Sequence, residues 1–312
     1  MTFTFNEQEK EKITQHFGGS FLTHVEDQIE PLSQKWSLSQ LKLIPSYSAN
    51  LVVEGQSETH GQVVLKFARN EQSLKSEVEA LASLQCQAIC RVLDVDEDKR
   101  VFLINGISPG TTLRSEEDIT LRLEAFCELF GELHAKTLQK ETGLPSKTDE
   151  DIRDSYQNWI TRANAFVSKQ ADWKEVADHM NRAAQLFHEL SVTYNRQTLL
   201  HGDFHYYNIL KSEDGYTIID PKGVVGDPVF DLPRYMLNEY WDQKDKNKVD
   251  ETVDIVIDHF STCFNLSQDT LAKLLYIEGV LSKTWSVQDG MGLEEKEETV
   301  VSLDQLYGYI PQ

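Results

Sequence analysis

Leu199-Leu200-His201-Gly202-Asp203-Phe204-His205-Tyr206-Tyr207-Asn208-Ile209-Leu210 carries apolar pairs at both ends and polar groups between them, the pattern of a loop pinned to a core at each flank. Beyond it, Tyr216-Thr217-Ile218-Ile219 is a short β-run that ends in Asp220, with Gly223 close behind. The run delivers a carboxylate to the neighbourhood of the loop. Phosphoryl transfer needs a group that accepts or orients an attacking hydroxyl, and oxygen ligands for the magnesium that neutralises a triphosphate. Asp203 supplies the first. The amide oxygen of Asn208 and the carboxylate of Asp220 supply the second.

Working outward, residues 6–36 place Ile13, Phe17, Leu22, Val25, Ile29 and Leu32 at roughly helical spacing, interrupted at Gly18-Gly19, and read as a helical N-terminal extension. Runs at 41–47, 51–54 and 62–67, rich in aliphatic and β-branched residues and divided by turn residues, predict an antiparallel meander. Residues 71–84 set Leu74, Val78, Leu81 and Leu84 on one helical stripe, and two short strands follow near 92–95 and 101–104. After Asn105-Gly106 long helical patterns take over, at 119–138, 150–169 and 173–195, with a second helical block from 232 onward. The expectation is an α/β (α+β) two-lobed protein-kinase-like fold. Residues 1–106 form a small antiparallel-sheet lobe with one helix and the helical extension; residues 107–312 form a larger, mainly helical lobe.

Composition narrows the function classes. At 312 residues, with 40% hydrophobic and 26% charged residues, the chain is an ordinary globular protein large enough for two lobes. It contains no apolar run of membrane-spanning length, and residues 1–12 are polar and acidic, which predicts an unexported, cytoplasmic protein. The net charge of −21 argues against nucleic acid and favours a cationic ligand, or else serves solubility alone. Four scattered cysteines, Cys86, Cys90, Cys127 and Cys263, read as reduced thiols. Cys86 and Cys90 could share a helix face, but no second Cys or His pair accompanies them to make a zinc site.

Lys66 lies in Val63-Val64-Leu65-Lys66-Phe67, the strand-plus-lysine arrangement that grips α/β-phosphates and pairs with a helix glutamate. Glu77 is its natural partner, and Glu79 the neighbouring alternative. The order Asp203, Asn208, Asp220 is that of the kinase catalytic-loop Asp and Asn followed by the metal-binding Asp. His201 reads either as a brace of the loop backbone or as a ligand paired with His205. His205 itself reads as a substrate-side loop residue or a surface group.

His201-Gly202-Asp203, Asn208, Ile219-Asp220, Gly226-Asp227-Pro228 and Asp231 together resemble the aminoglycoside phosphotransferase and choline kinase-like family. The form Asp220-Pro221-Lys222-Gly223 and the segment 281–290 are similar to the subgroup of streptomycin 6-phosphotransferases and hydroxyurea-type resistance kinases. The resemblance implies ATP or GTP with Mg2+, and a base-binding hinge at residues 101–107. It implies that Glu77 fills the family's E-x-x-A-L position and that Asp227 and Asp231 anchor the loop and the next helix. Ser48 and Asn50, in a turn that lacks the glycines of protein kinases, would meet phosphate or form an ordinary hairpin turn. Lys222 would meet phosphate or solvent. Glu278, Trp285 and Asp289 become substrate-side candidates, and the acidic clusters at 116–118, 149–151 and 294–298 would draw in a polycationic acceptor.

Three functions follow as expectations: a kinase of an aminoglycoside such as streptomycin, a kinase of a metabolic amino alcohol or sugar, and a non-catalytic kinase-like binding module. The four polar positions Lys66, Asp203, Asn208 and Asp220 weigh against the third, because a silent module has no chemical need for them.

Overall fold

The computed structural model describes residues 3–47, 49–84, 86–139 and 153–311. They form two compact units, Met1–Ser115 with Ile209–Asp220, and Glu116–Asn208 with Pro221–Gln312.

The first unit opens with α1 (Glu7–Phe17) and α2 (Gly19–Lys35). A capping box starts α1: Asn6 Oδ1 accepts the Glu9 amide and the Glu9 carboxylate accepts the Asn6 amide. Gly18, at φ 93°, makes the break between the two helices. A five-stranded antiparallel sheet follows, built from β1 (Leu38–Tyr47), β2 (Asn50–Ser57), β3 (Gly61–Ala68), β4 (Val92–Asp96) and β5 (Val101–Asn105) in the order β1-β2-β3-β5-β4. Helix α3 (Glu71–Ser83) joins β3 to β4, its start capped by Asn70.

The alternation of β3 decides where Lys66 points. Val63, Leu65 and Phe67 join Ile13, Phe21, Val25, Ile29 and Leu32 in one apolar core, so α1 and α2 cover that face of the sheet. The helical extension is therefore a core layer of the unit. Each such buried aliphatic or aromatic side chain contributes about 1.5–3 kcal/mol. Lys66, one residue out of phase, faces the other side, where its ammonium sits 5.5 Å from the Phe102 ring. Cys86 and Cys90 lie beyond the end of α3, so they share no helix face, which corrects the sequence expectation for that pair. Burial pushes the Cys90 thiol up to about 12, leaving it neutral.

The hairpin β7 (Ile209–Ser212) and β8 (Gly215–Ile218) belongs to this first unit, far as it lies in sequence. Backbone bonds pin it there: Lys211 N–H to Thr111 O (2.7 Å), Ile218 N–H to Ala88 O (2.6 Å) and Cys90 N–H to Ile218 O (2.9 Å).

The second unit comprises α4 (Ile119–Gln139), α5 (Tyr156–Val167), α6 (Lys174–Thr193), α7 (Pro233–Asp242), α8 (Val249–Phe264), α9 (Gln268–Gln288) and α10 (Lys296–Gly308). Its only ladder among the described residues pairs β6 (Thr198–Leu200) with β9 (Val224–Gly226). Helix α9, capped by Ser267, is apolar on nearly every side because α5, α6, α7, α8 and α10 all pack on it. A buried bidentate pair, Arg122 to Glu239 at 2.9 and 2.8 Å, ties α4 to α7. Among the described residues no helix is long and apolar enough to cross a membrane.

Candidate active site

In the first unit, three carboxylate or amide side chains gather around one ammonium. Lys66 Nζ donates to Glu77 of α3 and, at 2.6 Å, to Oδ1 of Asp220, the second residue after β8. Burial alone would lower the Lys66 pKa, but Asp220 and Glu77 outweigh it and hold the ammonium above its ordinary range. Asp220 takes φ 61°, a left-handed conformation that Asp tolerates better than most residues and that turns the chain out of β8. Asn50 is buried at the start of β2, and its Nδ2 donates to Glu77 Oε2 at 2.6 Å. Its side-chain N–H group thus holds the glutamate that holds the lysine. Ser48 lies outside the described residues.

In the second unit, the 201–208 loop leaves β6 and is suspended from one carboxylate. Asp231 accepts the His201 amide at 2.8 Å and the Gly202 amide at 2.7 Å, and His134 Nε2 lies 3.1 Å from it. The His201 carbonyl accepts the Lys222 amide at 2.7 Å, and its ring Nδ1 accepts the Asp203 amide at 3.2 Å. His201 is fully buried in this backbone frame, and the His205 ring turns instead to Asp203, 3.3 Å away. Asp227 caps the short 3-10 turn Pro228–Asp231 by accepting the Val229 amide, and it also accepts the Arg196 amide at 3.0 Å.

Gly202 satisfies two demands at once. Its φ is 79°, and a Cβ there would stand 2.8 Å from Val224 Cγ1 and 3.2 Å from the Trp159 ring. Asn208 Nδ2 donates to the Asp203 carbonyl at 2.9 Å, which closes the loop and leaves the amide oxygen as the group Asn208 can offer a cation.

Asp203 is bordered by three basic groups: His205, Arg234 Nε at 3.4 Å and Lys222 Nζ at 3.7 Å. Burial by itself would raise its pKa, but these neighbours hold the carboxyl well below the usual carboxylate range. Glu278 of α9 is buried and accepts from Arg234 Nη2 at 2.8 Å and from the Tyr156 hydroxyl at 2.6 Å. Trp285 meets Trp159 edge-on at 5.3 Å between centroids, with the Arg234 guanidinium 5.8 Å from its ring. Asp289 stands apart, exposed at the end of α9 with its amide on the Trp285 carbonyl.

Sequence reasoning passed over Arg234, Tyr156 and Trp159. A signal existed for Arg234, a single cation in the apolar run Phe230-Asp231-Leu232-Pro233-Arg234-Tyr235-Met236-Leu237, where burial demands a partner. The partner, 44 positions further on in a separate helix, carried no local mark.

Residues 35–290 match the profile of the aminoglycoside/hydroxyurea antibiotic resistance kinase family. The chain belongs to that family. It is a small-molecule kinase, a phosphotransferase acting on a hydroxyl group. It is 24% identical over 263 residues to a streptomycin 6-kinase of Streptomyces glaucescens, a match covering 84% of this chain and 83% of that one. Its fold is similar to that of amicoumacin kinase hAmiN in complex with AMP-PNP, Ca2+ and Ami (TM-score 0.67, 15% identity, 94% of this chain and 96% of that one). It is also similar to that of a thermostable mutant of aminoglycoside phosphotransferase APH(4)-Ia in ternary complex with ADP and hygromycin B (TM-score 0.65, 13% identity, 90% and 97%). The two-lobed protein-kinase-like fold read from the sequence is the fold of this family of kinases.

Proposed function

We propose that this kinase transfers the γ-phosphoryl group of ATP or GTP to a hydroxyl of an aminoglycoside, with streptomycin as the leading candidate. The observation that carries the reading is Asp203, a largely buried carboxylate kept ionised on a loop whose backbone is tied to Asp231. Asp203 would accept the hydrogen bond of the acceptor hydroxyl and aim its oxygen in line with the phosphorus. Phosphoryl transfer through a loose transition state asks for positioning more than for proton abstraction, so a weakly basic carboxylate suits it.

Lys66, kept charged and braced by Glu77, would hold the α/β-phosphates, with Asn50 steadying Glu77. Residues 1–106, joined by the 209–220 hairpin, are assigned to the nucleotide, and backbone groups of 101–107 to its base. Residues 107–312 are assigned to the acceptor, with His205 and Trp285 on its side. Asn208 and Asp220 offer an amide oxygen and a carboxylate, hard donors of the type magnesium takes. Bound there, Mg2+ would supply neutralisation of the triphosphate charge. The kinases of similar fold solved with ADP or with AMP-PNP and Ca2+ support a nucleotide and a divalent cation here. The net charge of −21 supports a cationic acceptor. The reaction is assigned to the cytoplasm, where the nucleotide is available.

The test is to incubate purified protein with Mg-ATP and a panel of aminoglycosides, amino alcohols and sugars, reading phosphorylated product by mass spectrometry. A streptomycin or related aminoglycoside phosphate is expected. Product only from amino alcohols or sugars would overturn the acceptor class. No Mg-ATP binding by calorimetry would overturn the reading of the chain as an active enzyme.

A further inference from the structure

Arg234 sits at the first turn of α7, directly after Pro233, with a side chain only 17% exposed. Its fork is held from α9: Nη2 meets Glu278 Oε1 at 2.8 Å and Nη1 donates to Ser282 Oγ at 2.9 Å. Glu278 and Ser282 are four residues apart and so lie on one face of that helix. The second Glu278 oxygen accepts the Tyr156 hydroxyl from α5, so both carboxylate oxygens are engaged. With both ends of the guanidinium anchored, the remaining edge faces the 201–208 loop. Nε is buried without a hydrogen bond and stands 3.4 Å from Asp203 Oδ1.

That distance is longer than an ordinary N–H···O bond. A slight turn of the Asp203 carboxylate closes it, and hydrogen bonds of this kind tighten when a substrate arrives. We propose that Arg234 is a positioning residue for phosphoryl transfer, a buried guanidinium fixed by Glu278 and Ser282 that sets the direction of the Asp203 carboxylate. The inference rests on the reading of Asp203 given above.

The charged groups around Asp203 come from three places: His205 in its own loop, Lys222 after β8, and Arg234 of α7. Lys222 is 45% exposed and its charge is screened by solvent. Arg234 is the buried, permanently charged member, and the titratable groups that act on it besides Asp203 are Glu278 and Tyr156. Lysine would not replace it, because one ammonium cannot bond Glu278 and Ser282 while keeping a third donor directed at Asp203. Glu278 on this reading serves Arg234, and leaves recognition of the acceptor's amines to other groups.

The test compares wild type with R234M, R234K, R234M/E278Q and D203N by steady-state kinetics at neutral pH, using Mg-ATP and the unmodified aminoglycoside acceptor, with urea melts as the stability control. R234M is expected to lower kcat about 100-fold while leaving KM for ATP within about 2-fold, a split that a general loss of structure would not produce. R234K is expected to keep kcat low although it restores the charge, because an ammonium lacks the fork that fixes the direction of the third donor. R234M strands the Glu278 carboxylate; should that variant fail to fold, R234M/E278Q removes both charges and is read for the same split between kcat and KM. A kcat near wild type in the folded R234M or double variant, a rise in KM for ATP equal to the fall in kcat/KM, or a loss of rate matching the unfolded fraction, overturns the proposal. Full activity in D203N overturns the underlying reading of Asp203, whereas an inactive D203N beside an unaltered R234M overturns only the role of Arg234.

Discussion

Lys66 Nζ donates to Asp220 Oδ1 at 2.6 Å across 154 residues of sequence, and the same ammonium meets Glu77 of α3. The carboxylates stabilise a lysine that burial would otherwise neutralise. K66M is expected to cost about 3 kcal/mol in urea unfolding, the low end for a broken buried pair because Asp220 is 36% exposed and partly screened. Its kcat/KM for nucleotide should fall by about 100-fold or more. The pKa of Lys66 is raised on folding, so its contribution is complete below the unfolded value of about 10.4 and is lost as pH rises through the folded value. Wild type should therefore lose stability on alkaline titration by an increment that K66M lacks.

Asn50 is buried with Oδ1 unpaired and Nδ2 on Glu77, so it is kept for its donor at the expense of its acceptor. N50L removes the orphaned oxygen together with the bond. The stability change should be small, within about 1 kcal/mol, because the two effects oppose. Nucleotide affinity measured by calorimetry should fall about 5-fold as Glu77 loses its guide.

G202A places a methyl group against Val224 and Trp159 at a left-handed φ of 79°. A cost of about 2–4 kcal/mol is expected from the backbone and the overpacking together. Turnover of the remaining folded protein should also drop sharply, because Asp203 is the next residue. Urea melts and kinetics on the folded fraction separate the two.

D231N keeps an acceptor for one of the two amides of His201 and Gly202 and turns an NH2 group towards the other. About 2 kcal/mol of stability should be lost. Because the Lys66 cluster is untouched, KM for nucleotide should stay near wild type while kcat falls.

Asp203 is held ionised, with its pKa depressed on folding. Its contribution to stability is present above the unfolded value of about 3.9 and disappears as pH falls through the folded value. Turnover in wild type should accordingly show no acid limb from this group between about pH 5 and 9, and D203N should lose about 1000-fold in kcat across that range. A wild-type profile with a carboxylate limb near neutrality would contradict the depressed pKa.

Local pattern made much of the molecule legible. The break at Gly18, the meander, the α3 stripe and helices α4 and α6 are read from spacing alone and appear close to where the periodicity puts them, whereas of the helix expected over 150–169 the described residues form Tyr156–Val167, started by the Ser155 cap, and residues 150–152 lie outside the described residues. Helix α9 is wrapped by five neighbours, so its apolar content gives a helix without indicating a face. The rank of α1 and α2 as one wall of the core was likewise hidden, since an amphipathic helix does not name the surface it covers.

The chain's order of residues settles which groups are available: a lysine on a strand, a glutamate on the following helix, and the carboxylates and amide of 203, 208 and 220. Only folding decides what each of them faces. Lys66 meets Asp220 because backbone bonds carry a distant hairpin to the first unit, and Arg234 meets Glu278 because α7 packs on α9. Such pairs join positions unrelated by any helical or strand period, and their strength comes from burial, which exists only once the layers have closed.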